Sequence, residues 1–280
     1  MLRRFDPPRV YHAAPTSGEA VKTAAVVDVE TTGMDRRADA IIQLSLVPFT
    51  YGTESGTIFE VGEPLTYFED PDRPIPPEIV ELTGITDADV AGQRIDDAAV
   101  TAFLAPVSLV IAHNADFDRP FTERRLAAFR DKPWACSIRD VSWRQTGLSS
   151  SALEYLLIKR CACFYGAHRA DEDARAVIHL LATPLDDGVL PMTRLLESAR
   201  RGTVRIWAEE APIEMKDLLK ARHYRWNPGG NGRPKAWNRE VPVDQQSAEL
   251  EWLFEHVYGG RHPKLRTDAL DARVRYSDRA

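Results

Sequence analysis

The sequence predicts a layered α/β fold, one mixed sheet flanked by helices, followed by a small C-terminal α+β unit. Three observations predict it. Short β-branched apolar runs come first, helix-like segments then alternate with further strand-like runs to about residue 183, and the charge balance reverses near residue 200. Of the 280 residues, 44% are hydrophobic and 28% charged, which is enough apolar side chain to bury a core without disulfides or metals. Residues 200–280 carry 16 Lys/Arg against 12 Asp/Glu, whereas the first 199 carry 20 against 30. An acidic front is therefore followed by a basic end.

Residues 1–22 are rich in Pro, Arg and small polar residues without periodicity, so they are expected to form a flexible leader. Order should begin near Lys22. The run T-A-A-V-V-D-V-E (23–30) reads as a mostly buried strand closed by the turn T-T-G. Residues 41–49 and 57–61 are the next strands, and three in succession imply an antiparallel meander. P-P-E-I-V-E-L-T-G (76–84) opens on prolines and closes on Gly84, the asymmetry of a short helix. A helix over 97–104, a strand over 108–112, an amphipathic helix over 119–129, a strand over 134–138 and helices over 151–159 and 171–181 complete the expected main domain, residues 23–183. Residues 184–202 read as a linker and a short helix that packs back. A small basic domain is expected over 203–259, and a charged, aperiodic flexible tail over 260–280.

Several classes fall away at once. The apolar runs are far shorter than the ~20 residues of a membrane-spanning helix, so no membrane association is expected. The N-terminus MLRRFDPPRV has no apolar run after its basic residues, so no secretory signal is expected either. Cys136, Cys161 and Cys163 include no C-x-x-C pair, which argues against a disulfide framework and a structural zinc site and favours a reducing, cytoplasmic setting.

Three acidic clusters carry the chemistry. Asp28 and Glu30 lie two apart in an otherwise apolar strand, which places both carboxylates on one face. Such a pair either shares a proton, binds a hard cation, or splits into one solvent-facing and one turn-capping group. In H-N-A-D-F-D (113–118) a buried strand runs into a helix, so Asp118 is placed to face a metal; Asp116 is the competing candidate, with capping of the helix its expected role. In H-R-A-D-E-D (168–173), His168 and Asp173 are five residues apart, about 140° around a helix, and converge only if His168 lies on the preceding loop. A surface histidine before a helix with an acidic first turn is the plain alternative. Together, four carboxylates and an imidazole suit two-metal phosphodiester hydrolysis, with the imidazole as general base.

These motifs, D-V-E-T-T-G (28–33), P-P-E-I-V-E-L-T-G-I-T (76–86), H-N-A-D-F-D and H-R-A-D-E-D, resemble in order and separation those of the DnaQ-like DEDDh 3′–5′ exonucleases, the family of the proofreading epsilon subunit of bacterial DNA polymerase III. The resemblance covers residues 23–183. It implies an RNase H-like fold, Asp28, Glu30, Asp118 and Asp173 as ligands of two divalent ions, Mg²⁺ or Mn²⁺, and His168 as general base. The tyrosine branch would place Tyr where Arg169 stands, so the histidine branch fits. Thr31, Thr32 and Gly33 match the segment that lines the terminal nucleotide, and His113 and Asn114 support the second motif. The implied activity is removal of nucleoside monophosphates from single-stranded or frayed 3′ ends, with DNA favoured over RNA. A DNA polymerase is a partner the resemblance suggests, although no polymerase-binding motif is legible. Trimming of RNA or short oligonucleotides is the alternative within that chemistry, and a non-catalytic nucleic-acid or polymerase-binding module is the alternative outside it.

In the basic unit, K-D-L-L-K-A-R-H-Y-R-W-N-P-G-G-N-G-R-P-K-A-W (216–237) interleaves cations with Tyr224, Trp226 and Trp237 around a Gly/Pro-rich turn. The aromatics read first as the core of a small domain and second as stacking platforms. Lys220, Arg222, Arg225, Arg233 and Lys235 are the candidate phosphate contacts.

Overall fold

A computed structural model describes residues 2–13, 18–164, 166, 169–230 and 232–279. The chain divides into two compact units, residues 1–199 with 273–279, and residues 200–272.

The first unit is built on one mixed sheet. Strand β1 (Arg3–Arg4) stands apart from it, and β2 (Val21–Thr31), β3 (Ile41–Gly52), β4 (Ile58–Val61) and β5 (Leu65–Phe68) form the antiparallel part. Helices α1 (Pro77–Thr83), α2 (Asp87–Val90) and α3 (Asp97–Leu104) follow, then β6 (Val107–Ala112), α4 (Ala115–Arg125) and β7 (Trp134–Cys136). Helix α5 (Leu153–Leu156) continues as a π-helical turn to Cys161, and β8 (Cys163–Phe164), α6 (Ala170–Ala182) and α7 (Pro191–Arg200) complete the unit. The sheet order is β4-β3-β2-β6-β7, with β5 also on β3. Strand β2 is antiparallel to β3 and parallel to β6.

Central β2 is apolar on both faces because both are covered. Ala24 and Val26 join a core with Ala174, Val177, Ile178 and Leu181 of α6, while Ala25, Val27 and Val29 join a second core with Val100, Leu104 and Phe121. Gly84, at φ +72°, ends α1 in the left-handed conformation expected of the glycine after T-G, donating its N–H to the Val80 carbonyl.

The leader and tail depart from expectation. Strand β1 pairs in parallel with β8, Val10 bridges Glu60, and Phe5 and Tyr11 pack on the core. The Tyr11 hydroxyl also meets His179 Nδ1 at 3.0 Å. A free sheet edge and two aromatic anchors order a segment that has no periodicity of its own. At the other end, residues 273–279 belong to the first unit. Fully buried Arg119 donates to the carbonyls of Arg275 (2.6 Å) and Arg273 (2.5 Å) and pairs with Glu123. Arg275 reaches Asp140 and the carbonyls of Ser198 and Ala199. The first unit also extends past residue 183, since Met192, Leu195 and Leu196 of α7 enter its core.

The second unit contains β9 (Thr203–Ala208), α8 (Lys216–Ala221), β10 (Arg225–Asn227), β11 (Ala236–Pro242), α9 (Gln246–His256) and β12 (Thr267–Leu270). Its sheet order is β10-β11-β9-β12, and β12 lies within the stretch expected to be loose. Val204, Ile206, Leu219, Tyr224, Trp237 and Leu253 form its core. The three cysteines are buried free thiols.

Candidate active site

The face of β2 that carries Ala24 and Val26 continues with Asp28 and Glu30, so the strand that is apolar under α6 ends in two carboxylates as it emerges. Asp173, on the first turns of α6, covers that end. Its Oδ2 accepts the Arg169 backbone N–H at 3.1 Å, which reaches back over the start of the helix and fixes the carboxylate. Ligand oxygens of Asp28, Glu30 and Asp173 all lie within 4.8 Å of one another. Among the described residues, no other group of three His, Cys, Asp or Glu side chains comes so close.

Asp118 stands in the first turn of α4, buried, and its carboxylate accepts N–H groups from Val29 and from its own backbone. It lies outside the 4.8 Å triplet but lines the same cavity of about 360 Å³, with Asp28, Glu30, Asp173, His113, Asn114, Phe117, Leu153 and Glu154 around it. A larger cavity, about 570 Å³, opens near the far end of α6 between Arg3, Arg4, Tyr11 and His179, with Asp6 its one carboxylate.

Electrostatics set the smaller cavity apart. Burial pushes the Asp28 carboxyl well above the usual range, and the charges of Asp118, Asp173 and Glu30 push the same way. Burial and Asp173 raise Glu30 to about 7. Burial likewise raises Asp118 to about 8, against the hydrogen bonds from its own and the Val29 backbone. Among the described residues, no Lys or Arg forms an ion pair with Asp28, Glu30 or Asp118. An all-oxygen set of mutually repelling, desolvated carboxylates is the donor set of a hard divalent ion. These residues fit such an ion.

The other candidates divide. His168 lies outside the described residues. His113 meets Ser137 Oγ at 2.7 Å and the Ser151 carbonyl at 2.8 Å, and burial pushes its pKa down to about 4. It therefore stays neutral and braces the end of β6 against the segment leading into α5. Asn114, not Asp116, occupies the N-cap position of α4. Asp116 sits in the helix and pairs with Arg139, a partner 23 residues on that local pattern does not reveal.

Thr31, Thr32 and Gly33 do not line the cavity among its described residues. Thr31 Oγ1 donates to the Gly33 carbonyl, and Thr32 Oγ1 donates to Asp39 at 3.1 Å while accepting from Arg73 and from the Ala40 N–H. A Cβ on Gly33 would lie 2.5 Å from Asp39 Oδ2. The three residues build the turn that follows Glu30, a structural use of the motif. Sequence reasoning missed Phe117, Leu153 and Glu154 on the wall. The motif H-N-A-D-F-D marks its carboxylates and not Phe117, and the short α5 has no motif to mark Leu153 and Glu154. Of the basic candidates in the second unit, Arg222 is taken by Glu249, with Nε and Nη2 both at 2.9 Å.

A mixed sheet ending in a nest of carboxylates beneath a helix defines a metal-dependent nuclease of the RNase H-like class. The RNase T exonuclease family model matches residues 25–181, more than half of the chain. The chain belongs to this family of DnaQ-like 3′–5′ exonucleases, hydrolases of the phosphodiester bond. It is 25% identical over 198 residues to the DNA polymerase III subunit epsilon of Treponema pallidum, covering 68% of this chain and 89% of that one. A PolC-type DNA polymerase III of Clostridium perfringens is 37% identical over 103 residues, 36% of this chain and only 7% of the polymerase. Among solved structures, E. coli exonuclease I in complex with a dA16 oligonucleotide aligns with TM-score 0.51 at 18% identity, over 79% of this chain and 64% of exonuclease I, a likeness of fold. Among the described residues no helix is long and apolar enough to cross a membrane.

Proposed function

We propose that this chain removes nucleoside monophosphates one at a time from single-stranded or frayed 3′ ends, DNA in preference to RNA. The observation that carries the reading is the convergence of Asp28, Glu30 and Asp173 within 4.8 Å in a cavity that Asp118 also lines. Asp28, Glu30, Asp118 and Asp173 hold the metal. Two divalent ions, Mg²⁺ or Mn²⁺, when bound supply an activated water and charge stabilisation for an in-line displacement at phosphorus. His168, by its place in the third motif, takes the proton from the attacking water. Phe117 and Leu153 supply an apolar wall against which the terminal nucleoside packs and from which water is excluded. The DNA preference and a DNA polymerase as protein partner rest on the epsilon subunit of Treponema pallidum as a relative.

The test is digestion of 5′-labelled single-stranded DNA and RNA in parallel, with Mg²⁺, with Mn²⁺ and with chelator, for the wild type, Asp28→Asn and His168→Ala. Stepwise shortening from the 3′ end that stops in chelator and in both variants is expected, faster on DNA. Equal digestion by wild type and Asp28→Asn would refute the metal assignment, and faster digestion of RNA would refute the substrate preference.

A further inference from the structure

The second unit carries an aromatic and basic surface that the cleavage chemistry does not use. We propose that Trp226, with Arg225 and Lys235 on the same β10–β11 hairpin, is a binding surface for single-stranded nucleic acid, holding the strand through base stacking and phosphate contacts. The inference rests on nucleic acid as the substrate class of the first unit.

Three aromatic residues crowd the segment 216–237, and the structure separates their roles. Tyr224 and Trp237 are 3% and 8% exposed and belong to the core, whereas Trp226 is 48% exposed. Its ring meets Trp237 edge-on, with centroids 5.6 Å apart and planes at 61°, so a core residue orients a ring whose surface is half in water. Burial of an indole is strongly favourable. An oriented one left exposed, on the edge strand β10, is a platform on which a base can stack.

The charges around it point to phosphate. Segment 216–237 holds six Lys/Arg against the single acid Asp217. Elsewhere in the unit Arg205 pairs with Glu240, Arg239 with Glu249 and Arg266 with Asp268, and within the segment Arg222 pairs with Glu249. Lys220, Arg225 and Lys235 are exposed and take no ion-pair partner among the described residues. The hairpin between β10 and β11 fixes where Arg225 and Lys235 stand. Asn227 Nδ2 donates to the Pro234 carbonyl at 2.6 Å, and Gly229, at φ +82°, packs so closely that a Cβ there would come within 3.2 Å of the Lys235 Cβ. Lys235 is thereby held at the mouth of the hairpin, next to the pair Asn227–Ala236 and two residues before Trp237. A half-exposed indole on a hairpin that also carries the uncompensated cations Arg225 and Lys235 matches a polymer that alternates bases with phosphates.

The experiment is fluorescence anisotropy of a labelled oligothymidylate with the full chain in chelator, where no cleavage occurs, over a series of salt concentrations. Trp226→Ala should weaken binding roughly 5- to 150-fold, and Trp226→Phe should restore most of it. Charge reversal at Arg225 or Lys235 should each flatten the slope of log K against log salt by about 0.7. Affinity and slope unchanged in all these variants would overturn the proposal. So would equal displacement of the oligonucleotide by polyglutamate of matched charge, which would mark a plain charge patch. A chain that cuts DNA but binds it indifferently to Trp226 refutes this inference alone. A chain that binds through Trp226 and never cuts refutes the catalytic reading alone.

Discussion

Each unit gathers buried acid, and the two do so in opposite ways. In the second unit Glu249, 4% exposed, accepts hydrogen bonds from Arg222, Tyr224 and Arg239 at 2.9 to 3.0 Å. Burial alone would raise its carboxyl, yet those donors hold it below the usual range. In the first unit Asp28, Glu30 and Asp118 are driven upward by burial and by neighbouring carboxylates, and no ion-paired cation among the described residues opposes it. A buried charge with its counter-ion supplied by the chain is architecture. A cluster whose counter-ion must come from solution is a binding site, and its instability without that ion marks it as one.

The contrast is sharpest for removal of one acid from each cluster. Asp118→Asn should lower cleavage by about 10³-fold, the scale of losing one electrostatic participant, while the melting temperature in chelator stays level or rises because one repelling charge has gone. Marked destabilisation in chelator would make Asp118 a structural residue. Glu249→Ala should do the reverse: it leaves Arg222 and Arg239 facing a vacated pocket and should cost about 3 kcal/mol in denaturant unfolding of the second unit, with the metal site untouched. A loss below about 1 kcal/mol would show that the arginines find solvent readily and that the cluster contributes little.

Smaller in effect is Gly33→Ala, which probes whether the turn after Glu30 is structural. The new Cβ would lie 2.5 Å from Asp39 Oδ2, and Asp39 cannot yield freely because Thr32, Arg73 and the Asp35 N–H all hold it. A destabilisation of about 1–3 kcal/mol is expected, with a modest fall in kcat and little change in KM. A rise in KM alone would return the turn to the nucleotide-lining role its motif suggested.

What could be read in advance follows the range of the interactions. Period-2 geometry put Asp28 and Glu30 on one face, and Pro77 with Gly84 bounded α1, because those signals lie within a few residues. The partners of Asp116 and Arg222 are 23 and 27 residues away on other elements, so an expected cap became an ion pair and an expected phosphate contact became a buried bridge. The leader and residues 273–279 escaped for a related reason. The leader is held by strand pairing with β8 and by the Phe5 and Tyr11 anchors, and residues 273–279 by side-chain to backbone bonds such as Arg119 to the carbonyls of Arg273 and Arg275, neither of which leaves a hydrophobic period behind. Exposure of Trp226 beside buried Trp237 was equally hidden, since both occupy paired positions in one hairpin and only the edge of the sheet distinguishes them.

The weakest effect, and the most specific to the contrast, is in pH. In the metal-free protein Glu30 keeps its proton up to about 7, whereas the unfolded chain releases it near 4.5. Below both values the two states are protonated alike; between them the folded state binds more protons, so stability falls as pH rises and the deficit is complete above about 7. Asp118, raised to about 8, extends the loss upward. Buried His113, pushed down to about 4 from 6.5, acts in the opposite sense below 6.5, so the carboxylate share is read as the difference between wild type and Glu30→Gln. In chelator, wild type should lose a few degrees of melting temperature relative to Glu30→Gln between pH 5 and pH 8. Added Mn²⁺ should reverse the sign, because it binds only the deprotonated cluster and stabilises it most at high pH. Parallel melting curves for the two proteins across that range would mean that Glu30 is already compensated within the chain, as Glu249 is, and the distinction between the two clusters would fail at its weakest member.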